Sequence, residues 1–317
     1  MPRSQPAAPT SADPARVGLP PGAELEPASC LFCPPGTPVR ERFSDPPFAV
    51  VECTGCGLVF VSPRVPADRL AEVYGERYWR SPEAKAYGYA DYRAEEANWR
   101  RTYARRARVL DGRLSPGARI LDVGCAAGYF CELMRERGFD VRGVELSAPM
   151  AAEARERLGA ERVHLGTIFD TPYEDASFDL VTFWDVVEHL PDPIAALREA
   201  RLLLKPEGLL LIETQNVESR FARLMGRRWQ HFKQVEHLWH FSPATAGRLL
   251  DAGGFAPVSL TAKRAGKHVG WDFIAERAGR VHPVISKALS PLSRLPGAPY
   301  VNLFDEMIVL ARPAAQG

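Results

Sequence analysis

Residues 121–130 read LDVGCAAGYF, and this stretch decides the fold. Leu121, Asp122 and Val123 end an apolar strand. Gly124, Ala126 and Gly128 then recur at every second position, and Tyr129 and Phe130 open an apolar run. Glycines in such a turn let the backbone approach a ligand and aim N–H groups at it from the start of the next helix. The spacing departs from G-x-G-x-x-G, which argues against a nicotinamide dinucleotide.

Outward from this loop, strand and helix alternate. ARILDV, DVRGVEL, RVHL, FDLVTFW and LLLIETQ read as five successive strands, and PVSLTAK and EMIVLAR add two more. Between them lie helices with ordinary punctuation: YFCELMRERG stops at Gly138, Ser147 caps APMAAEARERLG, Asp192-Pro193 opens the next, and SPATAGRLLDAGG carries its own cap. The expectation is an α/β fold, a Rossmann-like doubly wound seven-stranded sheet with helices on both faces. Ligands of such sheets bind at the carboxyl ends of the strands. Glu145 ends the second strand, 17 residues past Gly128, where a carboxylate can accept both hydrogen bonds of a ribose diol. The alternative is an ordinary charged residue at a helix start.

Composition sets outer limits. At 317 residues, 46% hydrophobic and 25% charged, the chain can bury one large domain and a smaller one. A formal charge of +1 gives no global pull toward nucleic acid or anionic lipid. No apolar run reaches the roughly 20 residues that span a bilayer, and the N-terminus has no apolar leader core, so a cytoplasmic location is expected.

Residues 1–29, with seven prolines, are expected to be a disordered tail. Residues 30–62 hold two CxxC pairs, Cys30/Cys33 and Cys53/Cys56, separated by 19 residues. That spacing suits a zinc ribbon, in which each pair forms a tight knuckle and the four thiolates hold one structural zinc ion; two disulfides or unrelated buried thiols are the alternatives. Cys125 and Cys131 read as small buried apolar residues. Residues 63–114 read as a helical, aromatic lid and linker. In it WRRTYARRARVL turns Trp99, Tyr103, Ala107 and Leu110 inward and Arg100, Arg101, Arg105, Arg106 and Arg108 to solvent, the other option being a nucleic-acid face. The main domain spans 115–261 and 301–317, and 262–300 is a basic insertion or cap, either a helical cap with a solvated face or a seat for a phosphorylated or lipid-linked substrate at a membrane surface.

DVGCAAG, the acidic strand end in GVELS, and SFDLVTFWDVVEHLPDPIAALREARLLLKPEGLLLIETQN together resemble the class I S-adenosylmethionine-dependent methyltransferases over residues 117–260. The resemblance implies that Gly124, Cys125 and Gly128 wrap the methionyl end of S-adenosylmethionine and that Asp122 positions it. It further implies that Glu145 holds the ribose, that Leu146 and Ile168 sandwich the adenine, and that Trp184-Asp185 close the pocket floor. Ala126 stands where the commonest form has glycine, tolerable for an extra methyl if its φ is negative.

Two clusters bear on the acceptor. Asp185, Glu188 and His189 resemble an acidic-x-x-Glu-His set that holds a divalent ion in some quinone-pathway O-methyltransferases, although His189 can also simply pack. RRWQHFKQVEHLWHFSP, residues 227–243, holds three of the seven histidines and two tryptophans, and follows the fifth strand where this fold builds its substrate wall. With a four-cysteine domain in front, that wall resembles sugar C-methyltransferases, whose segment runs Tyr-His-Glu-His and then Phe-Ser; here Gln234 and Val235 replace the first Tyr-His. O- or N-methylation of a sugar, lipid or secondary metabolite is therefore expected. His237 is the candidate general base, helped by Glu236 or His240, with His189 in reserve. The rivals are an RNA-modifying enzyme, against which WDVVEH and the neutral charge argue, and a catalytically silent cofactor-binding protein.

Overall fold

A computed structural model describes residues 19, 22–81, 87–275, 287, 291, 295 and 297–315. The N-terminal strands are β1 (Val39–Asp45), β2 (Phe48–Cys53) and β3 (Val59–Val61), followed by the short helices α1 (Leu70–Val73) and α2 (Glu76–Trp79) and the longer α3 (Glu96–Arg106). The main domain then runs β4 (Arg119–Val123), α4 (Tyr129–Glu136), β5 (Asp140–Glu145), α5 (Ala148–Leu158), β6 (Val163–Leu165), β7 (Phe178–Trp184), α6 (Pro193–Leu203) and β8 (Leu204–Gln215). Beyond these come α7 (Arg220–Met225), β9 (Trp239–His240), α8 (Pro243–Gly253), β10 (Phe255–Thr261), β11 (Lys267–His268), β12 (Tyr300–Val301) and β13 (Glu306–Pro313).

Seven strands form the main sheet in the order β10-β13-β8-β7-β4-β5-β6. β5, β6, β7 and β8 pair parallel through β4, whereas β13 runs antiparallel to both β8 and β10. The fold is a mixed α/β, Rossmann-like fold. Ile120, Leu121, Leu180, Val181, Leu210 and Leu211 are fully buried, because central strands covered by helices on both faces have no solvated side. Asp192 caps α6 by accepting from the Ala195 N–H at 2.9 Å, with Pro193 in the first turn.

The strand order reverses between β4 and β7, so the loops after β4, β5, β7 and β8 gather along one edge. Opposite them stands a second, antiparallel sheet, β1-β2-β3-β9. Its first three strands belong to the cysteine-bearing segment. The fourth, β9, comes from the histidine-rich loop far along the chain, which the sequence had suggested only as a wall.

Three expectations change. The tail 1–29 is not irregular throughout: Glu26 and Arg64 exchange backbone hydrogen bonds of 2.9 and 2.8 Å, and the Ala28 N–H donates to Ser62 Oγ at 3.0 Å; residues 1–18, 20 and 21 lie outside the described residues. Arg106 does not face solvent but is fully buried, since it sits three residues beyond Tyr103 on the same helical face as Thr102. In the 262–300 segment β11 pairs with β12, and Lys267 turns inward to Asp185 and Glu306; the proposed cap and membrane seat lie mostly in 276–296, largely outside the described residues.

Candidate active site

The loop after β4 is anchored from below. The N–H groups of Gly124 and Cys125 both donate to Val144 O, at 2.8 and 3.0 Å, so the chain turns sharply where β4 and β5 end side by side. Gly124 (φ 73°) and Gly128 (φ 80°) are left-handed, and a Cβ on Gly124 would stand 2.6 Å from Val186 Cγ2. Ala126 also has positive φ, 48°, which corrects the expectation of negative φ and strains an L-residue by about 1 kcal/mol. Cys125 turns its sulfur beneath the loop, toward Gly143, and contributes only its backbone to the loop face.

Glu145 is buried at the end of β5. One carboxylate oxygen accepts from the Ala126 N–H at 2.8 Å and the other from the Ser147 N–H at 2.7 Å. A carboxylate offers about four acceptor sites, so two remain for a ligand's hydroxyls. Burial raises its pKa to about 7, opposed by the N–H groups of Ser147, Ala126 and Leu146. Asp122 lies under the loop, accepting from Thr182 Oγ1 at 2.6 Å, and burial brings it to about 7 as well. Leu146 is 37% exposed and Ile168 is buried, so the two differ in what they offer an adenine ring. The lid reaches this corner: Trp79 Nε1 donates to Ser147 Oγ at 2.8 Å, and Ser147 Oγ donates to Tyr74 O at 2.7 Å. Together the left-handed glycines, the half-satisfied Glu145 carboxylate and the exposed Leu146 fit a nucleoside with a vicinal diol.

Trp184 and Asp185 follow at the end of β7. Trp184 packs on Phe130 (ring centroids 5.2 Å) and Tyr103 (5.8 Å), and its buried Nε1 has no partner among the described residues. Asp185 joins a buried ionic group that the sequence reading missed. Arg106 pairs with Glu213 at 3.0 Å, Glu306 at 2.7 Å and Asp185 at 3.5 Å; Lys267 pairs with Glu306 at 2.6 Å and Asp185 at 3.4 Å. Burial would raise Asp185, but the Lys267 ammonium and Arg106 guanidinium hold it well below the usual carboxylate range, while burial drives Glu213 well above it. Two signals were present: a glutamate closing an apolar strand in LLLIETQ, and another opening EMIVLAR, which the antiparallel register sets opposite Gln215.

The histidines gather beside it. His237 is buried, and its Nδ1 lies 2.7 Å from His231 O. A carbonyl only accepts, so Nδ1 carries the proton and Nε2 keeps its lone pair. Burial, then the neighbouring His189 and His231, push the pKa of this imidazole well below its ordinary value and keep it neutral. The His189 ring stands 4.7 Å away at 87°, and its Nδ1 lies 3.0 Å from Tyr74 Oη. Burial holds Tyr74 well above the usual phenol range, so its hydroxyl stays protonated.

The expected helpers of His237 turn elsewhere. Glu236 pairs with Lys233 at 2.9 Å and accepts from the Gly88 N–H at 3.3 Å, tying the loop to the lid. His240 is wholly buried against Phe232 (4.8 Å), brought to about 3 by burial and by Arg42, and neither ring nitrogen has a partner among the described residues. The expected Asp185, Glu188, His189 set is likewise divided. Glu188, His189 and His237 place three ligand atoms within 4.8 Å of one another, whereas Asp185 groups with Glu213 and Glu306.

At the other end of the ribbon sheet, one sulfur each from Cys30, Cys33, Cys53 and Cys56 lie within 4.8 Å of one another, with Cys30 and Cys56 at 3.4 Å. Four sulfurs each about 2.3 Å from a tetrahedral zinc ion would be roughly 3.8 Å apart, so the set fits zinc. All four are free thiols. Against burial, the backbone N–H groups of Cys56 and Gly55 and the Cys30 and Cys33 thiols bring Cys53 down to about 7.

Comparison with known proteins agrees with the fold. A family described as "Methyltransferase domain" matches residues 89–260, over half of the chain. The chain belongs to this family, the class I S-adenosylmethionine-dependent methyltransferases. It is similar to the malonyl-[acyl-carrier protein] O-methyltransferase of Serratia marcescens, 35% identical over 134 residues, which are 42% of this chain and 52% of that protein. It is also similar to the ubiquinone biosynthesis O-methyltransferase of Aeromonas salmonicida, 30% identical over 182 residues, covering 50% and 76%. The chain spans less than two thirds of the first curated relatives it matches. Among solved structures, a chain in the complex of a Haloferax volcanii methyltransferase activator with a methyltransferase aligns with a TM-score of 0.50 at 18% identity, over 70% of this chain and 92% of that one, a likeness of fold. No described helix is long and apolar enough to cross a membrane.

Proposed function

We propose that this enzyme transfers a methyl group to a hydroxyl of a small-molecule acceptor, with His237 as general base and a structural zinc ion at Cys30, Cys33, Cys53 and Cys56. The observation that carries the reading is the His237 Nδ1 to His231 O hydrogen bond of 2.7 Å, which leaves the Nε2 lone pair to take a proton. When bound, S-adenosylmethionine supplies a methyl made electrophilic by its sulfonium. Glu145 accepts from the ribose hydroxyls, and the N–H groups of the Gly124–Gly128 loop and the Leu146 side chain orient the rest. The acceptor hydroxyl would stand with its oxygen toward the methyl that the cofactor supplies, and His237 Nε2 would take its proton. Tyr74, through His189, lines the same wall and orders the acceptor.

Both named relatives are O-methyltransferases, which supports oxygen as the acceptor atom. With Gln234 and Val235 in place of a Tyr-His pair, carbon is less favoured. The acceptor classes proposed are a sugar, a lipid or a secondary metabolite. A metabolite panel incubated with labelled cofactor identifies the acceptor, and His237→Gln is then compared with wild type at saturating cofactor. Turnover should fall about 10²–10⁴-fold with cofactor affinity unchanged. Turnover within about threefold of wild type would remove His237 from the base role.

A further inference from the structure

The cysteine module and the acceptor loop share one sheet. β9, only two residues long, lies along β3 through the pairs Val59↔His240 and Phe60↔Trp239, and the Val61 N–H donates to Leu238 O at 3.0 Å. Two residues of strand bury too little to hold themselves in place. The loop is therefore pinned between two anchors. On the far side the N–H groups of Leu238 and Trp239 donate to Glu188 O at 2.9 and 3.2 Å, and Trp239 Nε1 donates to Leu190 O at 2.7 Å. On the near side Phe60 packs on Trp239 (5.8 Å) and Phe43 on Phe232 (4.9 Å). His237 immediately precedes this pinned segment.

What holds β3 is the turn that carries the second cysteine pair. β2 ends at Cys53, whose N–H donates to Leu58 O at 2.9 Å while Gly57 N–H donates back to Cys53 O at 2.9 Å. From that turn β2 and β3 run antiparallel through Glu52↔Val59, Val51↔Phe60 and Val50↔Val61. The knuckle is thus the hairpin turn that sets their register. Metal held there contributes directly to folding the small sheet, because its thiolates converge only when the turn is formed. The cofactor loop hangs from different strands, β4 and β5, which share no pairing with the ribbon sheet.

We propose that the four-cysteine module is a positioning element of the acceptor site. A tetrahedrally held zinc ion fixes the β2–β3 turn, β3 fixes β9, and β9 fixes the backbone that carries His237. Phe60 and Val61 act as positioning residues, touching the loop and not the acceptor. This rests on the zinc reading given above and extends it from a fold staple to a part of the reaction site.

Hydrogen exchange on the full-length chain tests it, before and after a thiophilic chelator strips the metal, with zinc content and calorimetric S-adenosylmethionine affinity measured on the same samples. Stripping should speed exchange of the Val61, Leu238 and Trp239 amides at least about tenfold, leave Gly124 and Cys125 unchanged, and keep cofactor affinity within about twofold. Returning zinc should restore protection. Unchanged protection at Leu238 and Trp239 would overturn the proposal while leaving the zinc reading intact; equal loosening of the cofactor loop would overturn it by making the module a general staple. Protein purified without zinc at the cysteines would defeat both, and metal analysis before stripping separates that result from the others. Val61→Pro gives a second route, since it deletes the bond to Leu238 O with every cysteine in place. Fast exchange at 237–240 with one zinc retained supports the proposal, and a protected loop in a cofactor-binding variant refutes it.

Discussion

The proposed cofactor corner and the proposed acceptor corner are built in opposite ways. Around the cofactor loop, the decisive residues lie within one strand–turn–helix–strand unit from Leu121 to Ser147, and their contacts are local backbone bonds: Ala126 and Ser147 to Glu145, Gly124 and Cys125 to Val144. Around the acceptor, Tyr74, Arg106, Asp185, His189, His237, Lys267 and Glu306 arrive from across the chain, and buried charge and imidazole hold them together. A local device can be altered piece by piece. A device assembled from distant segments fails as a unit when one strut is removed.

The sharpest break should come from that second kind. Replacing Arg106 by Met strips the guanidinium from Glu213, Glu306 and Asp185, and losing one partner of a buried ionic group costs about 3–5 kcal/mol. Urea denaturation should show a loss of that size, and a midpoint within error of wild type would mean that Lys267 alone neutralises the cluster.

A smaller and more local effect is expected on the cofactor side. Glu145→Gln keeps the shape but loses the charge that accepts the ribose hydroxyls, so affinity for S-adenosylmethionine should fall roughly tenfold to a hundredfold. Wild-type affinity should itself depend on pH. Glu145 is an acid raised to about 7 by burial, so it is mostly protonated at pH 6 and mostly ionised at pH 8. Only the ionised form accepts both hydroxyls, so binding tightens as pH rises through 7, by up to about tenfold from pH 6 upward. Calorimetry across that range should show the slope in wild type and a shallower one in Glu145→Gln; affinity that weakens as pH rises would reverse the assignment.

The mildest change should be Ala126→Gly. Its φ of 48° strains an alanine, so glycine should stabilise the free enzyme by up to about 1 kcal/mol without altering the acceptor loop. A destabilised variant would show that the methyl packs usefully in the loop.

Legibility follows the same division. The seven strands and the glycine turn after the first of them could be found because period, punctuation and spacing are local. Ala126 shows the limit even there: the letter was visible, but its positive φ, with its N–H turned to the Glu145 carboxylate, was not. Arg106 was misplaced because a charged residue on an arginine-rich helix looks solvated until its partners, Glu213 and Glu306, are known. His237 was singled out from a dense run of histidines, yet its orienting partner, the His231 carbonyl, has no side-chain signature.

By itself, then, the sequence determined the sheet, the cofactor loop and the cysteine knuckles, because hydrophobic period, glycine placement and metal-ligand spacing act over a few residues. Only the tertiary structure decided that β9 completes the ribbon sheet, that Arg106 and Lys267 neutralise the buried carboxylates, and that Glu236 pairs with Lys233 while His240 meets His237 ring edge to ring at 6.3 Å. Those outcomes depend on which distant groups share a low-dielectric interior, where an unpaired charge or an unpaired strand edge costs more than any local preference can offset.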